Sequence, residues 1–156
     1  MFHVVLYQPG IPQNTGNIIR LCANTGATLH LIHPLAFGWD DRQLKRAGLD
    51  YHEFARVQHH DHWAAWQQAQ PESRVWALTT RGEHSVFSAA FRPGDALLFG
   101  NESRGLPPEI HGQLAPAQKL RLPMQAASRS LNLANTVAVV LYEALRQNIN
   151  SESLNL

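Results

Sequence analysis

The chain holds a single cysteine, Cys22, among its 156 residues. No intrachain disulfide can form, which excludes a disulfide scaffold and fits a reducing compartment. No apolar run reaches the roughly 18 residues that a membrane-spanning helix needs. Met1 to Gln8 lacks the charged-then-apolar pattern of an export signal and reads as a strand. The expected location is therefore cytoplasmic. Charge of one sign is also scarce: 13 Lys and Arg oppose 12 Asp and Glu, for a net +1 with nine histidines neutral. That balance gives little bulk attraction for nucleic acid. Two nucleotide fingerprints are missing, G-x-G-x-x-G after a strand and G-x-x-x-x-G-K-[ST]. An ordinary dinucleotide dehydrogenase and a P-loop ATPase are excluded with them. Lysine is rare, with Lys45 and Lys119 beside eleven arginines. Arginine is favoured where a planar fork holds phosphate or stacks on a base, and a genomic preference for arginine codons gives the same bias.

What is present is an ordinary globular composition, 44% hydrophobic and 16% charged. Short apolar runs alternate with helical patterns. Strands are expected at Phe2–Tyr7, Thr28–His33, Glu53–Val57, Arg74–Thr79, Asp95–Phe99 and Lys119–Leu122, most of them closed by Pro or Gly. Asn14 is expected to cap a helix ending near Gly26, Asp40 or Asp41 one through Leu44 to Ala47, and Asp61 one carrying Trp63 and Trp66. Pro107 and Pro108 open a short helix. A long helix from about Ser130 to Gln147 carries Leu133, Val137, Leu141, Ala144 and Leu145 at the helical period. The alternation predicts an α/β domain with a mostly parallel sheet flanked by helices, spanning residues 1–147, with a frayed tail at 148–156. The long helix is apolar on more than one stripe, which points to a subunit interface, the alternative being a deeply buried terminal helix in a monomer.

Open α/β sheets bind ligands beyond the carboxyl ends of their strands. Three loops qualify: Leu78 to Gly82, Gly100 to Pro107, and Leu122 to Ala126, the last leading into Ser128 to Asn132. Together they outline a pocket of backbone donors with few charges, suited to an adenine or another neutral heterocycle. The segment Asn14 to Arg20 places two asparagines around Gly16 at a helix start, where anions are accepted. Arg20 lies one turn in, where it can either point out of the turn toward a phosphate or stand as a surface arginine on a capped helix. The histidines at 52, 59, 60 and 62 match no common zinc spacing and read as solvated loop residues, so no metal is expected. Trp63 and Trp66 read as core, and so does Cys22.

Three stretches carry a resemblance. Asn14-x-Gly16-Asn17-x-x-Arg20, Leu98-Phe99-Gly100-Asn101-Glu102-Ser103-Arg104-Gly105-Leu106-Pro107, and Leu122-Pro123-Met124 through Ser130-Leu131-Asn132-Leu133-Ala134 resemble the three ordered motifs of SPOUT ribose methyltransferases. Asp40-Asp41-Arg42 to Glu53 is similar to one subfamily, which methylates the ribose 2′-oxygen of C34 or U34 in tRNA. The resemblance covers about residues 1–147. It implies a C-terminal trefoil knot, S-adenosylmethionine as cofactor, a tRNA substrate (leucine tRNAs foremost) and a homodimer built through the knot and the C-terminal helix. It implies that Leu78, Thr79, Gly100, Leu122, Met124, Ser130 and Leu131 bind the cofactor and that Arg20 is the catalytic residue. Arg129 and Tyr142 fall at positions near RNA or the partner subunit, and dimer packing is the equal alternative for Tyr142. Arg42 and Arg46, with Lys45, Arg104 and Arg121, are expected to contact RNA phosphates. Asn101 departs from the subfamily, which often carries proline there.

The implied reaction is an in-line attack of a ribose 2′-oxygen on a sulfonium methyl. The chain must supply alignment and help in removing a proton from a poorly acidic hydroxyl. A guanidinium donates hydrogen bonds and accepts none, so Arg20 suits phosphate binding and oxyanion stabilisation better than proton abstraction. The rival readings are the same transfer to another tRNA or rRNA nucleotide, a non-catalytic RNA- or cofactor-binding module, and a knotted scaffold.

Overall fold

The computed structural model describes every residue except Asp41, Ala47 and 151–156. Seven parallel strands form one sheet: β1 (His3–Tyr7), β2 (Thr28–Ile32), β3 (Val57–His60), β4 (Val75–Leu78), β5 (His84–Ser85), β6 (Ala96–Phe99) and β7 (Lys119–Arg121). Their order across the sheet is β3-β2-β1-β6-β4-β7-β5. Among the described residues six α-helices cover it: α1 (Pro12–Thr25), α2 (Arg42–Arg46), α3 (Tyr51–Ala55), α4 (Trp63–Ala69), α5 (Pro108–Gln113) and α6 (Leu133–Asn148).

Strand alternation splits the core into two layers. Val4, Leu6, Leu29, Leu31, Leu97 and Phe99 join one cluster with the buried faces of α1 and α6. Val5, Ile32, Ala77, Ala96 and Leu98 join the other with Trp63, Trp66 and Ile110 from α4 and α5. Burial on both faces is why these strands read as continuous apolar runs. Trp63, Trp66 and Cys22 are core residues, and burial pushes the Cys22 thiol up to about 12.

The chain reverses its direction across the sheet between β1 and β6. Strands β2 and β3 build outward from β1 on one flank; β6, β4, β7 and β5 build on the other. The C-terminal flank carries an unusual crossing. β7 lies between β4 and β5, and only residues 79–83 join those two strands. The link crosses from one side of β7 to the other. A Cβ on Gly82 would stand 2.6 Å from the carbonyl carbon of Leu120, so glycine alone fits the crossing.

Several expected boundaries move. α1 begins at Pro12 with Ile11 at the cap position, so Asn14 lies buried inside the first turn rather than capping it. Residues 53–57 are not a strand: Tyr51–Ala55 is helical, capped by a reciprocal Asp50–Glu53 box, and β3 starts at Val57. His62, not Asp61, caps α4, its ring nitrogen accepting from Ala65 N at 3.1 Å. α6 starts at Leu133, capped by Asn132, and runs to Asn148. Asp40 lies two residues before α2, while the alternative cap Asp41 and the expected helix end Ala47 lie outside the described residues. Residues 151–156 of the expected tail lie outside them too.

Of the four histidines read as loop residues, only His62 lies in a loop, exposed in the bend that caps α4, while His52 lies on α3. His59 and His60 lie on β3. His3 Nδ1 meets His30 Nε2 at 2.9 Å, and His30 Nδ1 meets His60 Nε2 at 2.9 Å. His33 and His59 pair at 2.8 Å. Among the described residues no group of three or more His, Cys, Asp or Glu side chains is arranged to hold a metal ion. Also among them, no helix is long and apolar enough to cross a membrane.

Candidate active site

The three loops singled out in the sequence converge beyond the carboxyl ends of β4, β6 and β7. Between them lies a cavity of about 560 Å³, inside the ordinary range for a small-molecule site. Its lining includes all seven expected cofactor residues, Leu78, Thr79, Gly100, Leu122, Met124, Ser130 and Leu131. Apolar walls come from Phe99, Leu106 and Leu133. Ser130 and Leu131 lie in the extended lead-in to α6, not in the helix itself.

The loop after β6 is folded by its own backbone. Asn101 N donates to Gly105 O at 3.2 Å and Gly105 N returns to Asn101 O at 2.9 Å. Asn101 Oδ1 accepts from Ser103 N and Arg104 N, while its Nδ2 donates to Gln8 O at 2.8 Å. That is the work done at the position where proline is common in the subfamily; a proline has no side-chain amide to do it. A Cβ on Gly100 would stand 2.3 Å from Gly105 C and 2.5 Å from Leu106 N. Backbone packs on backbone here, at the lip of the cavity.

This loop delivers Glu102 to the start of α1. Glu102 Oε1 accepts from Gly10 N at 2.8 Å, and Oε2 accepts from Ile11 N at 2.7 Å and Asn14 Nδ2 at 3.3 Å. Asn14 Oδ1 in turn accepts from Asn132 Nδ2 at 3.0 Å. The anion expected at this helix start is therefore supplied by the protein itself, a carboxylate against the positive end of the helix. Motif one, motif two and motif three are joined through Asn14, Glu102 and Asn132. Glu102 and Asn132 were not singled out individually in the sequence; the presence of all three residues within the ordered motifs is the signal that pointed to them.

The rim of the cavity is cationic. Arg81, Arg104, Arg121 and Arg129 all line it and are exposed. Arg81 was missed as a separate contact, although it sits in the first of the three loops. His111 also lines the cavity, its pKa lowered by burial and then by the positive charges of Lys119 and Arg81. The remaining expected residues lie away from the cavity lining. Tyr142 is 54% exposed on α6. Arg42 and Arg46 are exposed on α2. Arg20 stands on α1, its Nη2 donating to Gly48 O at 2.7 Å and its Nε 3.6 Å from Glu53 Oε1. The helix rises about 9 Å between Asn14, on the cavity wall, and Arg20.

A parallel sheet with a crossed C-terminal flank and a crevice at the crossing defines the class. The SpoU rRNA methylase family profile matches residues 1–142, and the chain belongs to that family. It is 58% identical over 147 residues to the tRNA (cytidine(34)-2′-O)-methyltransferase of Methylovorus glucosotrophus strain SIP3-4, covering 94% of this chain and 96% of that protein. A solved structure concerned with the 2-OH methylation of C/U34 on tRNA matches with a TM-score of 0.89 at 51% identity, over 96% of this chain and 97% of that one. The AdoMet-bound rRNA methyltransferase of Sinorhizobium meliloti matches with a TM-score of 0.81 at 26% identity, over 93% of this chain and 56% of that one.

Proposed function

We propose that this chain transfers a methyl group from S-adenosylmethionine to the ribose 2′-oxygen of nucleotide 34, cytidine or uridine, in tRNA, with leucine tRNAs as its substrates. One observation carries the reading: the strand-end cavity is lined by the seven residues that the family's motifs assign to the cofactor. The near-full-length likeness to a cytidine-34 enzyme supports the choice of nucleotide.

The cavity fits the cofactor on its own chemistry. Its volume of about 560 Å³ suits a nucleoside carrying an amino-acid arm. Its walls combine Leu78, Leu122 and Phe99 with backbone at Gly100 and Thr79, which suits a neutral heterocycle. The group, when bound, supplies an electrophilic methyl on a sulfonium. The protein's own part is placement. Leu78, Leu122 and Leu133 exclude water from the crevice walls, and Glu102 with Asn14 fixes the loop that forms its lip. Arg129, Arg121, Arg104 and Arg81 hold the RNA backbone at the mouth, and Arg42 and Arg46 extend the track over α2. RNA laid across α1 reaches both the cavity and Arg20, whose guanidinium donates to a phosphate or to charge developing on the 2′-oxygen.

The active species is a homodimer joined through α6 and the crossed flank. Val139 and Tyr142 lie three residues apart on one face of α6, 43% and 54% exposed. They are the apolar surface that a second copy covers, and this packing is the role of Tyr142. The test of the function is labelled methyl transfer to tRNA with mapping of the label. Label on another nucleotide keeps the chemistry and overturns the choice of position 34.

A further inference from the structure

Arg20 is held by the short span that follows α2. Its Nη2 donates to the carbonyl of Gly48, the residue at which the chain leaves α2 with φ +71°. Its Nε stands 3.6 Å from Glu53 Oε1 on α3. Glu53 is itself fixed. Its Oε2 accepts from Asp50 N at 3.1 Å, and Asp50 Oδ1 accepts from Glu53 N at 3.1 Å. One carboxylate oxygen is thus tied to the backbone while the other is turned to the guanidinium. The anchor is also the less exposed partner, with side-chain exposures of 19% for Glu53 and 45% for Arg20.

We propose that Glu53, together with the Gly48 carbonyl, is a positioning residue that aims Arg20 at the reacting nucleotide. A free arginine side chain samples many rotamers, and ordering it costs free energy at the moment it is used. One hydrogen-bond acceptor and one carboxylate charge, set in different directions on one short span, remove that freedom in advance. Gly48 N donates to Lys45 O at 3.2 Å, so the carbonyl that holds Arg20 belongs to a residue tied to α2, the helix that presents Arg42, Lys45 and Arg46. The inference rests on Arg20 acting at the reacting ribose.

The structural alternative makes a different forecast. A half-exposed ion pair contributes little to stability, whereas a misaimed catalytic group costs rate. The two roles of Glu53 can be separated, because a glutamine at the third helical position still serves a capping box. Glu53→Gln keeps an acceptor for Asp50 N and removes the charge beside Arg20. With tRNA and S-adenosylmethionine as substrates, we expect its kcat to fall about ten- to a hundredfold. The KM for both substrates and the melting temperature stay at parental values. Arg20→Ala is measured alongside. Loss of turnover in Arg20→Ala with a kcat-only loss in Glu53→Gln supports the inference. Full kcat in Glu53→Gln beside an inactive Arg20→Ala overturns it and leaves Arg20's role standing. A Glu53→Gln variant that melts lower and loses KM and kcat together overturns it in favour of a structural role. An active Arg20→Ala overturns both readings.

Discussion

Glu102 and Asn14 stand 88 residues apart in the chain and meet at 3.3 Å across the carboxyl end of the sheet. The contact closes the strand switch between β1 and β6. It also explains how a helix that lacks a capping side chain of its own starts where it does. Pro12 sets the first turn, and the carboxylate of Glu102 takes the donors at Gly10 and Ile11. Glu102→Gln replaces one accepting oxygen by an amide that faces a donor. The expected cost is about 1–3 kcal/mol of stability, read in a urea melt, with weaker cofactor binding because the cavity lip loses its tie. A variant as stable as the parent contradicts this account of α1.

Gly100 has no room for a side chain. Gly100→Ala would force its Cβ against the backbone of Gly105 and Leu106, so the loop must shift. Calorimetric titration with S-adenosylmethionine should show affinity reduced about tenfold or more, an estimate from the distortion of a packed lip. Gly112→Ala is the control: its Cβ meets open space on α5, outside the cavity. It should bind as the parent does.

The histidine chain gives the protein an acid-sensitive seam. Burial above all, and then the nearby His3 and His60, lower the pKa of His30 to about 3. The unfolded chain takes the same proton near its ordinary value of about 6.5. Between those limits the unfolded state holds more protons, so stability falls as the pH drops from about 6.5 toward 3. The slope approaches about 1.4 kcal/mol per pH unit for one such group. Urea midpoints at about pH 7.5 and about pH 5 should differ less in His30→Gln than in the parent. Equal differences would remove His30 from the account.

Much of the fold is legible in the sequence, and the failures have local causes. The strands at β1, β2 and β6 announce themselves as apolar runs stopped by Pro or Gly, because the sheet buries both of its faces there. Glu53–Val57 reads as a strand in the sequence, whereas Tyr51–Ala55 is helical and Asp50 and Glu53 have capping-box spacing. The start of α1 was misplaced because its cap arrives from Glu102, far along the chain. The ladder of histidines was invisible because it requires β2 to lie between β1 and β3. The cavity was legible too: the residues that line it sit at strand ends marked by glycine and proline. What no local signal carries is the crossing of residues 79–83 over β7. That depends on the order in which the strands take their places.

The exposed stripe on α6 should hold the dimer. Val139→Glu with Tyr142→Glu puts two charges into the face proposed to pack against a second copy. Sedimentation should show the parent as a dimer and the double variant as a monomer with a folded circular dichroism spectrum. A monomeric parent would overturn the dimer.

Methyl transfer from labelled S-adenosylmethionine to unmodified tRNA, followed by nuclease mapping, tests the central claim most directly. The account requires label on the 2′-oxygen of nucleotide 34, with none in an Arg20→Ala variant that still binds the cofactor. Label confined to another nucleotide, or a protein that binds the cofactor and transfers nothing to any tRNA, would contradict it.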